Sequence, residues 1–157
     1  MTAGPSTVVY LHAVLPKHGE GRSSTVDAAS FRTSEMTSSE VKALVPARNF
    51  DQSEQFYQHL GFELGWSDGT QTHFRHGNSS FVLQKLNNKE RADNVVIHLF
   101  VVDVEAWWQH VQAQDLKNKY EIKVDPPKDR PWGIRELVIV DPSGTLWRIG
   151  QSMGGNP

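Results

Sequence analysis

Between residues 40 and 151 the order strand, helix, three strands is written twice, and few architectures accommodate that grammar. In the first copy, residues 41–46 read as a strand ended by Pro46, and Asn49 stands at the N-cap of a helix running to about Leu60. Phe50, Phe56 or Tyr57, and Leu60 fall on one side of that helix, and Gly61 is its expected stop. Strands follow at 62–66, 70–75 and 80–86, separated by the turn signals Ser67-Asp68-Gly69 and His76-Gly77-Asn78. In the second copy, 95–102 is a strand, Asp103 is an N-cap, and the helix reaches about Leu116 with Val104, Trp107 or Trp108, and Val111 on one face. Strands at 122–124, 134–140 and 146–149 complete it, the last two joined by Asp141-Pro142-Ser143-Gly144. A segment over about 115–132 makes this copy the longer one.

The region before the repeat is built differently. Of the 15 aromatic residues only Tyr10 and Phe31 precede residue 40, whereas residues 1–39 hold 12 Ser or Thr. So few large apolar groups cannot offset the entropy of ordering, which makes 1–39 an extension, flexible or partly docked through 8–15 as one strand or a short helix. Met36 stands at its end and is a candidate native start. The expected domain is 40–151, with modules over about 40–87 and 94–151 and a C-terminal tail over 152–157.

Composition removes several function classes. The 157 residues contain no cysteine, which excludes a disulfide framework, a thiol nucleophile and a Cys-based zinc site. Sixteen Lys and Arg against 18 Asp and Glu argue against nucleic-acid binding by phosphate neutralisation. The one dense basic run, Lys117, Lys119, Lys123, Lys128 and Arg130, is interleaved with acids and reads as a solvated loop. The longest early apolar run, 8–15, is too short to span a membrane and lacks a preceding positive charge. A cytoplasmic protein with no membrane partner is expected. Phosphate-loop, dinucleotide-fold, nucleophile-elbow and His-Glu-x-x-His motifs are absent from the sequence.

Two stretches carry a family resemblance. Leu44-Val45-Pro46-Ala47-Arg48-Asn49-Phe50-Asp51, with Phe56-Tyr57 and Leu60-Gly61-Phe62, resembles the opening of a vicinal-oxygen-chelate module. Pro131-Trp132-Gly133-Ile134-Arg135-Glu136, with Asp141-Pro142-Ser143-Gly144-Thr145-Leu146, resembles the last two strands of the same superfamily, most closely its glyoxalase/bleomycin resistance protein group and the drug-binding branch within it. The resemblance covers about 40–151. It implies an α+β fold of paired βαβββ modules, each curling into a half-open sheet around a ligand cleft, and commonly a homodimer. One such fold hosts many chemistries.

Enzymes of this superfamily usually hold a divalent metal with His, Gln or Glu from the first and last strands of each module. Here the matching positions are Lys42, Val96 and Arg148, with Gln84 the one conceivable ligand on 80–86. The expectation is therefore no metal, no other cofactor and no assigned catalytic residue. Of the seven histidines, His59 and His110 are placed on exposed helix positions, His73 and His76 point to opposite faces of a strand, and His12 and His18 lie in the extension. His98, two residues beyond Val96, should face the cleft, as a lining residue or a general base.

What remains is an aromatic and cationic cleft. Trp132 occupies the strand-entry motif that bleomycin-binding relatives use to stack planar rings; alternatively it closes one end of the core. Phe100 shares the His98 face, Arg135 reaches the cleft or the outer surface, and Trp66 or Phe74 is expected on the opposite wall unless packed in the core. The loop Ser67-Asp68-Gly69-Thr70-Gln71-Thr72 lacks the second aromatic that drug-binding relatives place there. The sequence thus points to a metal-free protein that sequesters a planar small molecule against Trp132, His98 and Phe100, in the manner of antibiotic-resistance proteins of this group. The alternatives are a glyoxalase-like lyase, transferase or dioxygenase with an atypical or absent metal site, and an interaction module with a vestigial cleft.

Overall fold

The structure, a computed structural model, describes residues 7–11, 39–86 and 94–154. The elements are β1 (Thr7–Leu11), β2 (Ala43–Ala47), α1 (Phe50–Leu60), β3 (Glu63–Ser67), β4 (Gln71–His76), β5 (Ser79–Lys85), β6 (Val95–Phe100), α2 (Val104–Ala113), α3 (Leu116–Lys119), β7 (Val124–Asp129), β8 (Ile134–Val140) and β9 (Leu146–Ser152). They form two open sheets, ordered β2-β5-β4-β3 and β1-β6-β9-β8-β7. In each module the first strand pairs in parallel with the last, β2 with β5 and β6 with β9, and the remaining neighbours are antiparallel. The α+β architecture of two βαβββ modules is therefore present. β1 adds a fifth strand to the second sheet, parallel to β6 with Thr7 opposite Val95 and Leu11 opposite Leu99. Residues 12–38, including His12, His18, Phe31 and Met36, lie outside the described residues.

Local chemistry sets the element ends. The Asn49 side chain accepts from the Gln52 N–H, and Gly61, at φ 109°, ends α1 in the left-handed region that only glycine enters freely. Asp103 accepts from the Glu105 and Ala106 N–H groups at the start of α2. Strand alternation then divides each sheet into two faces. One face of both sheets, with α1 and α2, builds a single core containing Val45, Phe56, Tyr57, Phe74, Phe81, Ile97, Leu137, Trp147 and Ile149.

Two segments differ from the sequence expectation. α2 stops at Ala113; Asp115 turns into the left-handed region, φ 48°, and Leu116 opens the separate turn α3. β7 occupies Val124–Asp129, not 122–124, because two prolines are tolerated on an edge strand whose pairing shifts between Asp125 and Lys128. His59 and His110 are also half-buried, contrary to their expected exposure. α1 packs against α2 and α3, so the His110 Nε2 lies 2.7 Å from the His59 carbonyl, and the His59 Nδ1 lies 2.6 Å from the Tyr120 hydroxyl. Among the described residues no helix is long and apolar enough to cross a membrane.

Candidate functional site

The face of the second sheet that points away from the core carries a cavity of about 330 Å³, lined by His98, Phe100, Trp132, Ile134 and Arg148. Alternation explains the set. His98 and Phe100 are two apart on β6, Ile134 lies on β8 and Arg148 on β9, each with its inward neighbours in the core. Trp132 enters from the turn before β8, where Gly133 takes φ 79°. Its side chain stays 57% exposed, and the Arg148 guanidinium lies 5.2 Å from its ring centroid. The His98 and Phe100 rings stack at 4.2 Å. Gly150 on β9 leaves room for His98 and Ile134, since a Cβ there would sit 2.9 Å from the His98 Nε2 and 2.7 Å from Ile134.

At the floor is a residue that the sequence reading did not select. Glu136 is 1% exposed, and its carboxylate meets Arg148 at 2.8 Å, Arg130 at 3.3 Å and the His98 Nε2 at 3.9 Å. A usable signal existed: on β8 the outward residues are Ile134, Glu136, Val138 and Val140, a single acid in an apolar stripe. Arg130 is accordingly not part of a solvated basic loop. The chain hydrogen-bonds Arg130 N to the Ile134 carbonyl, which turns its side chain back over β8.

The other sequence-selected residues sit elsewhere. Arg135 has the opposite parity to Glu136 and is held on the reverse face by Glu105 and Asp129, each at 2.7 Å. Phe74 is fully buried, its ring 5.4 Å from Phe81, and backs β4 from within the core. Trp66 is 48% exposed on β3 of the first sheet, stacked on His73, whose Nε2 lies 2.9 Å from the Lys42 ammonium. The Lys42 charge and burial hold the His73 pKa below the ordinary imidazole value, burial being the larger cause. Trp66 therefore belongs to a second aromatic surface, away from the cavity.

These residues do not fit the divalent metal of related enzymes. His98, not Val96, lies in register with Arg148. His98 and Glu136 would supply two donors, but Arg148 and Arg130 already hold the carboxylate, and a cation placed there would meet two guanidinium charges. Among the described residues no three His, Asp or Glu side chains converge as a metal site.

A model of the family described as Glyoxalase/Bleomycin resistance protein/Dioxygenase superfamily matches residues 41–149. Among solved structures, the chain is similar to a bleomycin resistance determinant encoded on the transposon Tn5, with 21% identity and TM-score 0.61 over 73% of this chain and 98% of that one. It is similar to the bleomycin-binding protein of Streptomyces verticillus, solved with copper(II)-bleomycin, with 20% identity and TM-score 0.63 over 76% and 99%. It is also similar to a lactoylglutathione lyase from Agrobacterium tumefaciens, with 22% identity and TM-score 0.55 over 73% and 95%. No curated protein sequence matches the chain. At these identities the likeness establishes the fold alone.

Proposed function

Because the chain belongs to the glyoxalase/bleomycin resistance protein/dioxygenase superfamily, we propose that it is a metal-free binding protein that sequesters a planar small molecule on the second sheet. The cavity lined by Trp132, Phe100 and His98 carries this reading. Its volume falls within the lower part of the range usual for small-ligand sites, about 300–1,000 Å³. An exposed indole beside a stacked His98–Phe100 pair offers flat apolar area with little to reorganise. The bleomycin-binding neighbours support small-molecule binding as a use of this fold, and the cationic floor makes bleomycin itself, a cation, a poor fit.

The same reading takes the protein as a cytoplasmic homodimer. Leu44 and Trp66 are exposed on the outward face of the first sheet, and Trp66 would then face the cavity of a second copy as its opposite wall. A thermal-shift panel of planar antibiotics and other flat heteroaromatics tests the function. At least one compound should raise the melting temperature of the wild type, and Trp132→Ala should remove that rise while keeping the fold. A panel without any stabilising compound, or a full response in the variant, contradicts it. Light scattering tests the assembly, a monomeric mass being the contrary result.

A further inference from the structure

We propose that the ligand of this cavity is a planar aromatic anion, whose carboxylate, phosphate or sulfonate group is received by Arg148 and Arg130. The inference rests on the planar-ligand reading above and adds the sign of the ligand's charge. Three observations carry it.

The first is a count of charges on this face. Two guanidinium groups meet one carboxylate, Glu136, so among the described residues the floor holds an excess of one positive charge. The second is depth. Glu136 is 1% exposed, whereas the Arg148 and Arg130 side chains are 30% and 29% exposed. The acid lies deeper than the two bases, so a molecule entering the cavity meets Arg148 in its lining, with Arg130 on the far side of the Glu136 carboxylate it shares. Each guanidinium has five N–H donors, more than one shared carboxylate can take up.

The third is the disposal of nearby acids. Asp129 lies beside this edge of the sheet, and it and Glu105 of α2 are held on the reverse face by Arg135. Strand register places Lys128, opposite Glu136, on the cavity side and Asp129, opposite Arg135, on the other. Asp129 is thus turned away from Arg148 and Arg130, and the β7 acid that shares their face, Asp125 opposite Val138, is matched in charge by Lys128. Arg148 also lies over the Trp132 ring, which sets the anion receptor beside the surface on which a flat ring stacks.

Calorimetric titration with three probes of identical ring tests this: naphthalene-2-carboxylate, naphthalene-2-carboxamide and naphthalen-2-ylmethylamine. The carboxylate should bind about 10-fold more tightly than the amide, with the amine weakest, and added salt should narrow the gap. Glu136→Gln removes the compensating charge and should widen the preference for carboxylate over amide. Arg148→Gln should bring the carboxylate down to the amide. The wild-type ranking decides the matter even where a variant folds poorly. Equal binding of carboxylate and amide, or preference for the amine, overturns the anion assignment and leaves the planar-ligand reading standing. Failure of all three probes to bind overturns both.

Discussion

The Tyr57 hydroxyl donates to the Asp141 carboxylate at 2.5 Å, tying the helix of the first module to the final turn of the second. Asp141 also accepts from the Ser143 and Thr145 N–H groups, and the Trp147 indole N–H donates to the same Tyr57 oxygen at 3.0 Å. The chain Trp147–Tyr57–Asp141 runs through the core, with Ser53 and Ser143 in contact beside it. The repeated modules are therefore joined by a buried polar network in addition to apolar contact.

That network makes stability depend on pH. Burial raises the Asp141 pKa from 3.8 to about 6, outweighing the hydrogen bonds from Tyr57 and the turn, which lower it. The folded state thus keeps the proton over a range where the unfolded chain has lost it. The stabilising contribution is complete below about pH 4 and is lost as pH rises through about 6. Across that window the wild type should lose about 3 kcal/mol relative to Asp141→Asn, which does not titrate. Urea unfolding of both proteins from pH 4 to 7 measures the difference. A gap that stays constant with pH contradicts the assignment.

Removing the bridging hydroxyl isolates the donor. Tyr57→Phe keeps the ring against Phe81 and Trp147 but leaves the indole N–H without its acceptor and the Asp141 Oδ2 without the Tyr57 donor. Two buried polar groups lose partners at once, so the expected cost is about 2–4 kcal/mol, read from the denaturant midpoint. A change under about 0.5 kcal/mol would mean that the network adds nothing to stability.

The elements of this fold were readable because each end has its own chemical cause. Asn49, Gly61 and Asp103 mark helix boundaries through caps, and Asp141 to Gly144 marks a turn through backbone hydrogen bonds. β7 was harder, because Pro126 and Pro127 are breakers in any central strand and are admitted here only at an edge. The site was half legible. Parity on β6 places His98 and Phe100 together, but the placement of Arg130 depends on the chain reversing through Pro131–Gly133, which strand periodicity does not encode. Phe74 and Trp66 show the limit clearly: β4 sends Phe74 inward, while the pairing shift between Leu64 and Trp66 fixes where the indole emerges.

Two tryptophans should separate binding from folding. Trp147 is fully buried and touches Tyr57, Phe62 and Phe81, so Trp147→Ala should cost about 3–5 kcal/mol. Trp132 stands mostly in solvent, and its truncation should cost about 1 kcal/mol or less. Unfolding free energies of the two variants check the ranking, and a cost for Trp132→Ala equal to that of Trp147→Ala would move its ring into the core.

The donor set predicts indifference to divalent metals. With Arg148 and Arg130 holding Glu136, and Lys42 against His73, nickel, zinc or manganese should leave the melting temperature unchanged after chelator treatment. Stoichiometric metal in protein purified without chelator, or a rise of several degrees on metal addition, would restore the metalloenzyme reading.

Gly150 gives the sharpest test of the cavity floor. Its backbone lies under His98 and Ile134, where an added Cβ would stand 2.9 and 2.7 Å from their side chains. Such distances force a neighbour to move, and the core behind β9, filled by Trp147 and Ile149, offers no space. The His98 ring and the Ile134 methyl must therefore shift outward into the cavity. Gly150→Ala should destabilise by about 1–3 kcal/mol and suppress the thermal shift from any compound that stabilises the wild type. Gly69→Ala is the control: its Cβ meets nothing within 4 Å, so it reports only the backbone cost of an alanine at φ 84°. Gly150→Ala must lose ligand response beyond that control; an undiminished response would place the ligand away from this floor.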